Sequence, residues 1–383
     1  MDVFEKIKDI KVPDSIRNIK VPVDIKMPVD IKMPKGKKDD KVTMKVCMLG
    51  ARGVGKTSVL TAMYSNMDEA VKKTNMFINA DLSTHTVLKK KEDELRGMFY
   101  PGNEMSDSVH SGISADFVES KFTFDFGLTT ERINLGLEFR DYPGEYLRVR
   151  PETVKEYIEE SNAIVIAIDT PHLMECGGIY NEVKNRVSLI TSFFKAVITP
   201  ESDEKLIMFV PLKCEKYYRE HRIEEVTEKV CEAYEELITF LRDKDASRGI
   251  NGKFACLVAP IQTLGEVVFD SFEAGQGGIR TVSVNGEIFP EQANYKFARP
   301  GAVYAPEYCE QPLLYLLSFV ARQYHSLKQA PSGKVNGFLK RLKEAFAPTP
   351  KSDELMKEIG KLTTKKNYNS AGYKVLFGMG KVR

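Results

Sequence analysis

Long apolar stretches are missing from this chain of 383 residues. No unbroken apolar run is longer than Ala163–Ile168, and a helix that crosses a bilayer needs ~18 such residues. The opening residues, MDVFEKIKDI, mix both charge signs without an apolar block, so no secretory signal is expected. The cysteines at positions 47, 176, 214, 231, 256 and 309 include no CxxC pair, which points to reduced thiols in a cytosol-like compartment. The five histidines are dispersed, without metal-ligand spacing. Net charge is also scarce, at +2 from 56 basic and 54 acidic side chains. An apolar fraction of 42% nonetheless excludes wholesale disorder. The length allows one large domain or two small ones at ~100–200 residues each.

The near-zero charge hides an asymmetry. Residues 1–41 carry a net +3 and residues 334–383 a net +8, which leaves −9 for residues 42–333. An acidic body argues against a body-wide nucleic-acid surface, and no specific nucleic acid is expected as a partner. The basic C-terminal segment remains the candidate for anionic partners, or is simply a solvated face.

Residues 1–41 contain an imperfect repeat, Val21-Pro22-Val23-Asp24-Ile25-Lys26 followed by Met27-Pro28-Val29-Asp30-Ile31-Lys32 and Met33-Pro34. Each proline removes a backbone donor and holds its predecessor extended, so no helix runs through. An extended arm is expected there. From Val42 the texture changes. Val42–Leu49, Ala163–Ile168, Leu206–Val210 and Phe254–Ala259 read as strands covered on both faces. Lys121–Phe126 and Arg132–Arg140 alternate and suggest a hairpin through Thr129-Thr130. Helical patterns cover Lys56 to Met67, Ser83–Met98, Glu152–Glu160, Tyr180–Ala196, Ile223–Arg242 and Glu307–Leu327. Strands and helices alternating in this way predict an α/β fold with a mostly parallel sheet and helices on both faces. The expected organisation is an arm at 1–41, a body at 42–330 with insertions near 67–120 and 265–306, and a basic amphipathic tail at 331–383.

Gly50-Ala51-Arg52-Gly53-Val54-Gly55-Lys56-Thr57 fits G-x-x-x-x-G-K-[ST] at every fixed position. Glycines let the backbone curl so that successive N–H groups face phosphate oxygens, and the following helix presents its positive end there. Lys56 is placed to reach the β- and γ-phosphates, and the Thr57 hydroxyl to ligate Mg²⁺, with Ser58 next on the helix. The buried strand before the motif and the helix after it supply the context that a chance glycine turn lacks.

With that loop in place, residues 42–264 resemble the Ras-like GTPases of the TRAFAC class. They are also similar to uncharacterised prokaryotic GTPase-domain proteins, some implied in conflict or defence systems. The resemblance implies a three-layer P-loop NTPase that uses GTP, GDP and Mg²⁺. Asp141-Tyr142-Pro143-Gly144 looks like the family's D-x-x-G box, in which the Asp holds a Mg²⁺ water and the Gly amide meets the γ-phosphate. Leu212-Lys213-Cys214-Glu215 stands where the family carries N/T-K-x-D. There Lys213 would lay its stem over the purine, and Glu215 would accept from guanine N1–H and the 2-amino group. Adenine offers neither donor, so a buried carboxylate facing it stays unpaired. Glu for Asp and Leu212 for Asn or Thr depart from the pattern, and so does Ala259-Pro260-Ile261 in place of Ser-Ala-Lys. Lys213 and Glu215 are otherwise a solvated pair at a strand end.

A switch threonine is expected shortly before the hairpin, yet no Thr occurs between Thr86 and Thr123. Ser106, Ser108, Ser111 or Ser114 substitutes, or Thr84 or Thr86 reaches back. Glu145 follows Gly144 where Ras-like members carry the water-orienting Gln. A carboxylate there repels the γ-phosphate unless a cation lies close, and Arg52, Arg148 or Arg150 is available to supply one. Lys56, Gly144 and Glu145 are thus the expected catalytic residues, with slow turnover that rises with a protein partner or self-association. In the C-terminal segment, Val335, Phe338, Leu339, Leu342 and Phe346 follow helical spacing beside Lys340, Arg341 and Lys343. Such a helix at 335–347 lies on an anionic membrane surface, docks on a partner or packs on its own domain. The remainder through Arg383 is expected to be mobile. The leading expectation is a guanine-nucleotide switch in the cytoplasm or at a membrane surface. A nucleotide-stabilised scaffold and an ATPase are the alternatives.

Overall fold

A computed structural model describes residues 41–100, 119–129, 134–246, 252–275, 278–279, 281–284, 287–290, 293–329, 337–345, 350–368 and 370–382. The expected arm, except Lys41, which already belongs to the first strand, the candidate serines at 106–114 and the hairpin turn at Thr130 lie outside these residues, as do Val335 and Phe346. The strands are β1 (Lys41–Leu49), β2 (Met76–Ala80), β3 (Ser120–Leu128), β4 (Asn134–Asp141), β5 (Ala163–Asp169), β6 (Lys205–Leu212), β7 (Phe254–Val258), β8 (Val267–Phe272), β9 (Ala274–Gly275), β10 (Gly278–Ile279), β11 (Thr281–Val284), β12 (Glu287–Pro290), β13 (Ala293–Phe297) and β14 (Lys374–Phe377). The helices are α1 (Lys56–Val71), α2 (Leu82–Gly97), α3 (Tyr146–Val149), α4 (Pro151–Glu160), α5 (Thr170–Met174), α6 (Asn181–Asn185), α7 (Val187–Val197), α8 (Glu215–Arg219), α9 (Ile223–Ala233), α10 (Glu235–Ala246), α11 (Gln311–Gln329), α12 (Gly337–Ala345) and α13 (Pro350–Thr363).

Eight strands form one sheet in the order β14-β7-β6-β5-β1-β4-β3-β2. The five central strands are parallel, while β2, β3 and β14 run antiparallel at the two edges. Alternation divides each central strand between two cores. Ala163, Val165 and Ala167 of β5, with Leu206, Met208 and Val210 of β6, face the core shared with α1, α11 and α13. Ile164, Ile166 and Ile168, with Ile207 and Phe209, face the core shared with α4, α7 and α10. Helices on both faces explain why these strands read as unbroken apolar runs. The expected α/β architecture is therefore present. Parallel register also gathers the C-terminal strand ends. Met48 pairs with Asp141, Leu49 with Ile166, and Asp169 with Leu212. In open sheets of this kind, ligands bind beyond those ends.

Three expectations are corrected. The helical pattern at 180–196 is two helices, broken at Arg186, whose φ is +56°. The pattern at 223–242 is likewise broken at Tyr234. The C-terminal segment packs on its own domain, one of the readings left open for its helix, and the expected mobile remainder contributes buried residues. Leu342 of α12 is buried in the core, and α13 buries Leu355, Met356, Ile359 and Leu362. Strand β14 then pairs with β7, whose open edge would otherwise expose unpaired backbone groups. Val382 is fully buried, and its carbonyl accepts from Ser318 Oγ at 3.0 Å. Among the described residues no helix is long and apolar enough to cross a membrane.

Candidate functional site

Gly50 to Gly55 form the turn between β1 and α1. Gly50, Gly53 and Gly55 all have positive φ, and Gly55, at +112°, takes a conformation that a side chain would strain. Val54 is buried beneath the loop and anchors it to the core. Lys56 is 8% exposed, and its ammonium donates to the Gly50 carbonyl at 3.1 Å. The same Nζ lies 3.5 Å from Asp141 Oδ1. Thr57 Oγ1 donates to Asp141 Oδ2 at 3.0 Å. Ser58 follows on α1, half-buried. The structure thus brings Lys56, Thr57 and Asp141 together, although 84 residues separate the last two.

Asp141 ends β4 beside Met48, and its buried Oδ1 accepts no hydrogen bond from the described residues. A buried carboxylate oxygen left this way is costly unless a cation or ligand water meets it. The turn that follows presses on the phosphate loop. A Cβ at Gly144 would lie 2.1 Å from Arg52 N and 2.4 Å from the Ala51 carbonyl carbon, so only glycine fits. Glu145 Oε1 is paired with Arg52 Nη1 at 3.1 Å. Of the three candidate arginines, Arg52 is the one joined to Glu145. Arg150 instead stacks on Tyr146 and donates to its hydroxyl, and Arg148 is exposed.

Lys213 and Glu215, expected to meet the base, follow β6. Lys213 has a left-handed backbone, with φ of +61°. Its ammonium pairs with Asp169 Oδ2 at 2.7 Å, reaches the Gly53 carbonyl at 3.4 Å and lies 5.7 Å from the Tyr295 ring centre. Burial works to neutralise it, but Asp169 and Tyr295 hold its pKa above the usual lysine value. Glu215 opens α8 and is 3% exposed. Its Oε1 accepts from the amides of Leu264 at 2.8 Å and Gly265 at 3.3 Å. Burial raises its pKa against the opposing pull of those amides and Lys213. Pro260 has no N–H, and its carbonyl accepts from the Tyr218 and Tyr373 hydroxyls at 3.2 and 2.8 Å.

Asp169, which ends β5, carried no signal in the sequence reading beyond its place after a buried strand. It is fully buried. Burial opposes its ionisation, yet His172 and Lys213 hold its pKa well below the carboxylate range. His172 Nδ1 lies 2.6 Å from Oδ1. Asn185 clasps the Asp169 backbone, accepting from its N–H at 2.8 Å and donating to its carbonyl at 3.2 Å.

The candidate switch threonines lie elsewhere in the bonding pattern. Asp81 caps α2, accepting from the Thr84 amide at 2.9 Å and from Thr84 Oγ1 at 3.1 Å, and Thr84 Oγ1 in turn accepts from the Thr123 amide at 3.0 Å. Thr86 donates to the Leu82 carbonyl within the same helix. Both hydroxyls are thus engaged by α2 and β3, and Asp81 caps the helix just ahead of the Ser83–Met98 pattern expected there.

A family model described as DO-GTPase2, Double-GTPase 2, matches residues 45–244, just over half of the chain. No curated protein matches. Among solved structures, the chain is similar to the crystal structure of the S. cerevisiae Ski7 GTPase-like domain bound to GDP and inorganic phosphate, at 14% identity and a TM-score of 0.36. It is also similar to the structure of that domain bound to GTP, at 13% identity and a TM-score of 0.34. Each match covers 58% of this chain and 43% of the other, so this chain spans less than half the length of those structures.

Proposed function

The chain belongs to the Double-GTPase 2 family, and from that premise we propose that it is a Mg²⁺-dependent guanine-nucleotide switch that hydrolyses GTP slowly. In this reading the amides of Gly53, Val54, Gly55 and Lys56 hold the phosphates, and the Lys56 ammonium leaves Gly50 for the β- and γ-oxygens. Thr57 Oγ1 and Asp141 lie together where an ion would meet the phosphate chain. The observation that carries the proposal is the buried Asp141 Oδ1, without a hydrogen bond and facing Lys56. Its chemistry fits a hard cation or that cation's water. When bound, Mg²⁺ would neutralise phosphate charge. The chain's own residues supply the rest of the positioning.

Hydrolysis is slow in this scheme for an electrostatic reason. Glu145 stands where water would be oriented, and its charge opposes the γ-phosphate. Arg52, 3.1 Å away, offsets that charge. The contact of Gly144 with Ala51 and Arg52 supports a switch segment at Asp141–Arg150 that responds to what the loop holds. On the base side, Lys213 lays its stem along the purine and Glu215 reads guanine. The tie of Glu145 to Arg52 also favours a second reading, a nucleotide-stabilised scaffold with little hydrolysis.

The test is a binding titration with GTP, GDP and ATP, with and without Mg²⁺, on the parent and on Lys56→Ala. The parent is expected to bind GTP and GDP in preference to ATP, more tightly with Mg²⁺, and Lys56→Ala to lose most of that affinity. A parent that binds no nucleotide, or a Lys56→Ala protein that binds equally well, defeats the proposal. Phosphate release that is rapid and independent of protein concentration contradicts the slow, partner-dependent part.

A further inference from the structure

Helix α6 has five residues, and it is fastened on two sides. Asn185 grips the backbone of Asp169 at the end of β5. Lys184, the residue before it, donates from Nζ to the carbonyl of Arg52 at 3.1 Å, across 132 residues of sequence. The chain enters this region through Cys176, Gly177 and Gly178 and leaves it through Arg186, all with left-handed backbones. Such residues persist where the surroundings fix them, and the two fastenings do so here. The result is a lysine fastened to the phosphate loop at the Arg52 carbonyl by an element that none of the expected motifs includes.

The company that Lys184 keeps is unusual for a structural lysine. Lys56 of α1, Lys213 after β6 and Arg186 next to α6 all act on it with like charge, against Asp169 of β5. A surface ion pair would place one anion beside one cation. Here three ammonium groups meet the carbonyls of one loop, Lys56 that of Gly50, Lys213 that of Gly53 and Lys184 that of Arg52. That is the field of an anion site, and its cost falls when a multiply charged anion enters. Burial, the largest influence, and the neighbouring cations together push the Lys184 ammonium down to about 8.

We infer that Lys184 is a further cation of the phosphate site, which neutralises the phosphate chain of a bound nucleotide from the α6 side while holding the loop at Arg52. This rests on the reading that the loop binds a nucleoside di- or triphosphate. The groups facing it are Asp169, Lys213, Lys56 and Arg186. Asp169 is held well below the carboxylate range and Lys213 above the usual lysine value, whereas the Lys184 ammonium is the one of the three pushed down.

The experiment titrates fluorescent GTP and GDP into the parent, Lys184→Ala and Lys184→Arg from pH 7 to 9, with a thermal melt of each protein to show that it is folded. Lys184→Ala is expected to weaken both nucleotides by tenfold or more at pH 7, and Lys184→Arg by less than threefold. In the parent, affinity is highest below pH 8 and falls as pH rises through it. Lys184→Arg keeps its charge and loses that fall. A merely structural lysine would leave the pH profile unmoved. Folded Lys184→Ala that binds within threefold of the parent overturns the inference, and so does a Lys184→Arg profile identical to the parent's. A parent that binds no nucleotide at any pH removes the nucleotide reading itself, and this inference with it.

Discussion

Replacing Gly144 with alanine tests the contact between the D-x-x-G turn and the phosphate loop. The added Cβ would sit 2.1 Å from Arg52 N, 2.4 Å from the Ala51 carbonyl carbon and 2.9 Å from Arg52 Cα. All three are backbone atoms, so no side-chain rotation relieves the clash. Ordinary contact begins near 3.4 Å, and the two turns must therefore part by about 1 Å or more. Forcing one methyl group into packed backbone costs about 1–3 kcal/mol. If the loops separate, that energy appears as lost nucleotide affinity, by a factor of about 5–150. If they stay together, it appears as lost stability, a fall in Tm of a few degrees. Isothermal titration with GTP and a thermal melt of the same samples separate the two outcomes. Gly97→Ala is the control, since a Cβ there meets nothing within 4 Å. Gly144→Ala with the parent's Kd and the parent's Tm would refute the reasoning, because the clash would then have no energetic consequence.

Three further outcomes are expected. Glu215→Ala loses the preference for GTP over ATP and also strips the acceptor from the Leu264 and Gly265 amides, costing about 1–3 kcal/mol in urea unfolding. Glu215→Gln retains one acceptor and less of the preference. Asp169 has a depressed folded-state pKa, so its contribution is present above the unfolded carboxylate value near ~4 and is lost as pH falls below it. Urea unfolding from pH 7 to 3 should show that acid loss in the parent and less of it in Asp169→Asn; equal losses would contradict the assignment. Leu355→Ala should cost about 2–5 kcal/mol, since the side chain is fully buried in the main core. A mobile tail would give no change in the urea midpoint.

What the sequence made legible was what depends on neighbours in sequence. The central strands could be located because helices cover both faces, so Ala163–Ile168 and Leu206–Val210 are apolar throughout. The phosphate loop was legible because its glycines, Lys56 and Thr57 lie within one turn. Strand β2 was not, since Met76–Ala80 is a short edge strand with Asn79 exposed and no period that outweighs chance. The C-terminal segment misled through its charge. Leu355, Met356, Ile359 and Leu362 sit at helical spacing among lysines and glutamates, and that stripe packs on α11 whatever the net charge of the rest.

The site was legible in part for the same reason. Asp141 could be paired with Thr57 only because a motif of known spacing links them. Asp169, Lys184 and Asn185 belong to no local pattern, and parallel register and α6 bring them to the loop. Their arrangement makes the two walls of the site one unit. Lys213 reaches from Asp169 to Gly53, Lys184 from α6 to Arg52, and Gly144 leaves no gap against Ala51. The proposed nucleotide binding therefore predicts coupling between the two walls through these contacts. A double substitution tests that coupling. Asp169 acts on the loop through Lys213, and Lys184 bonds it directly, so the effects of Asp169→Asn and Lys184→Gln on GTP affinity should depart from additivity by about 0.5–3 kcal/mol. Strictly additive effects would mean that the two walls hold the nucleotide independently.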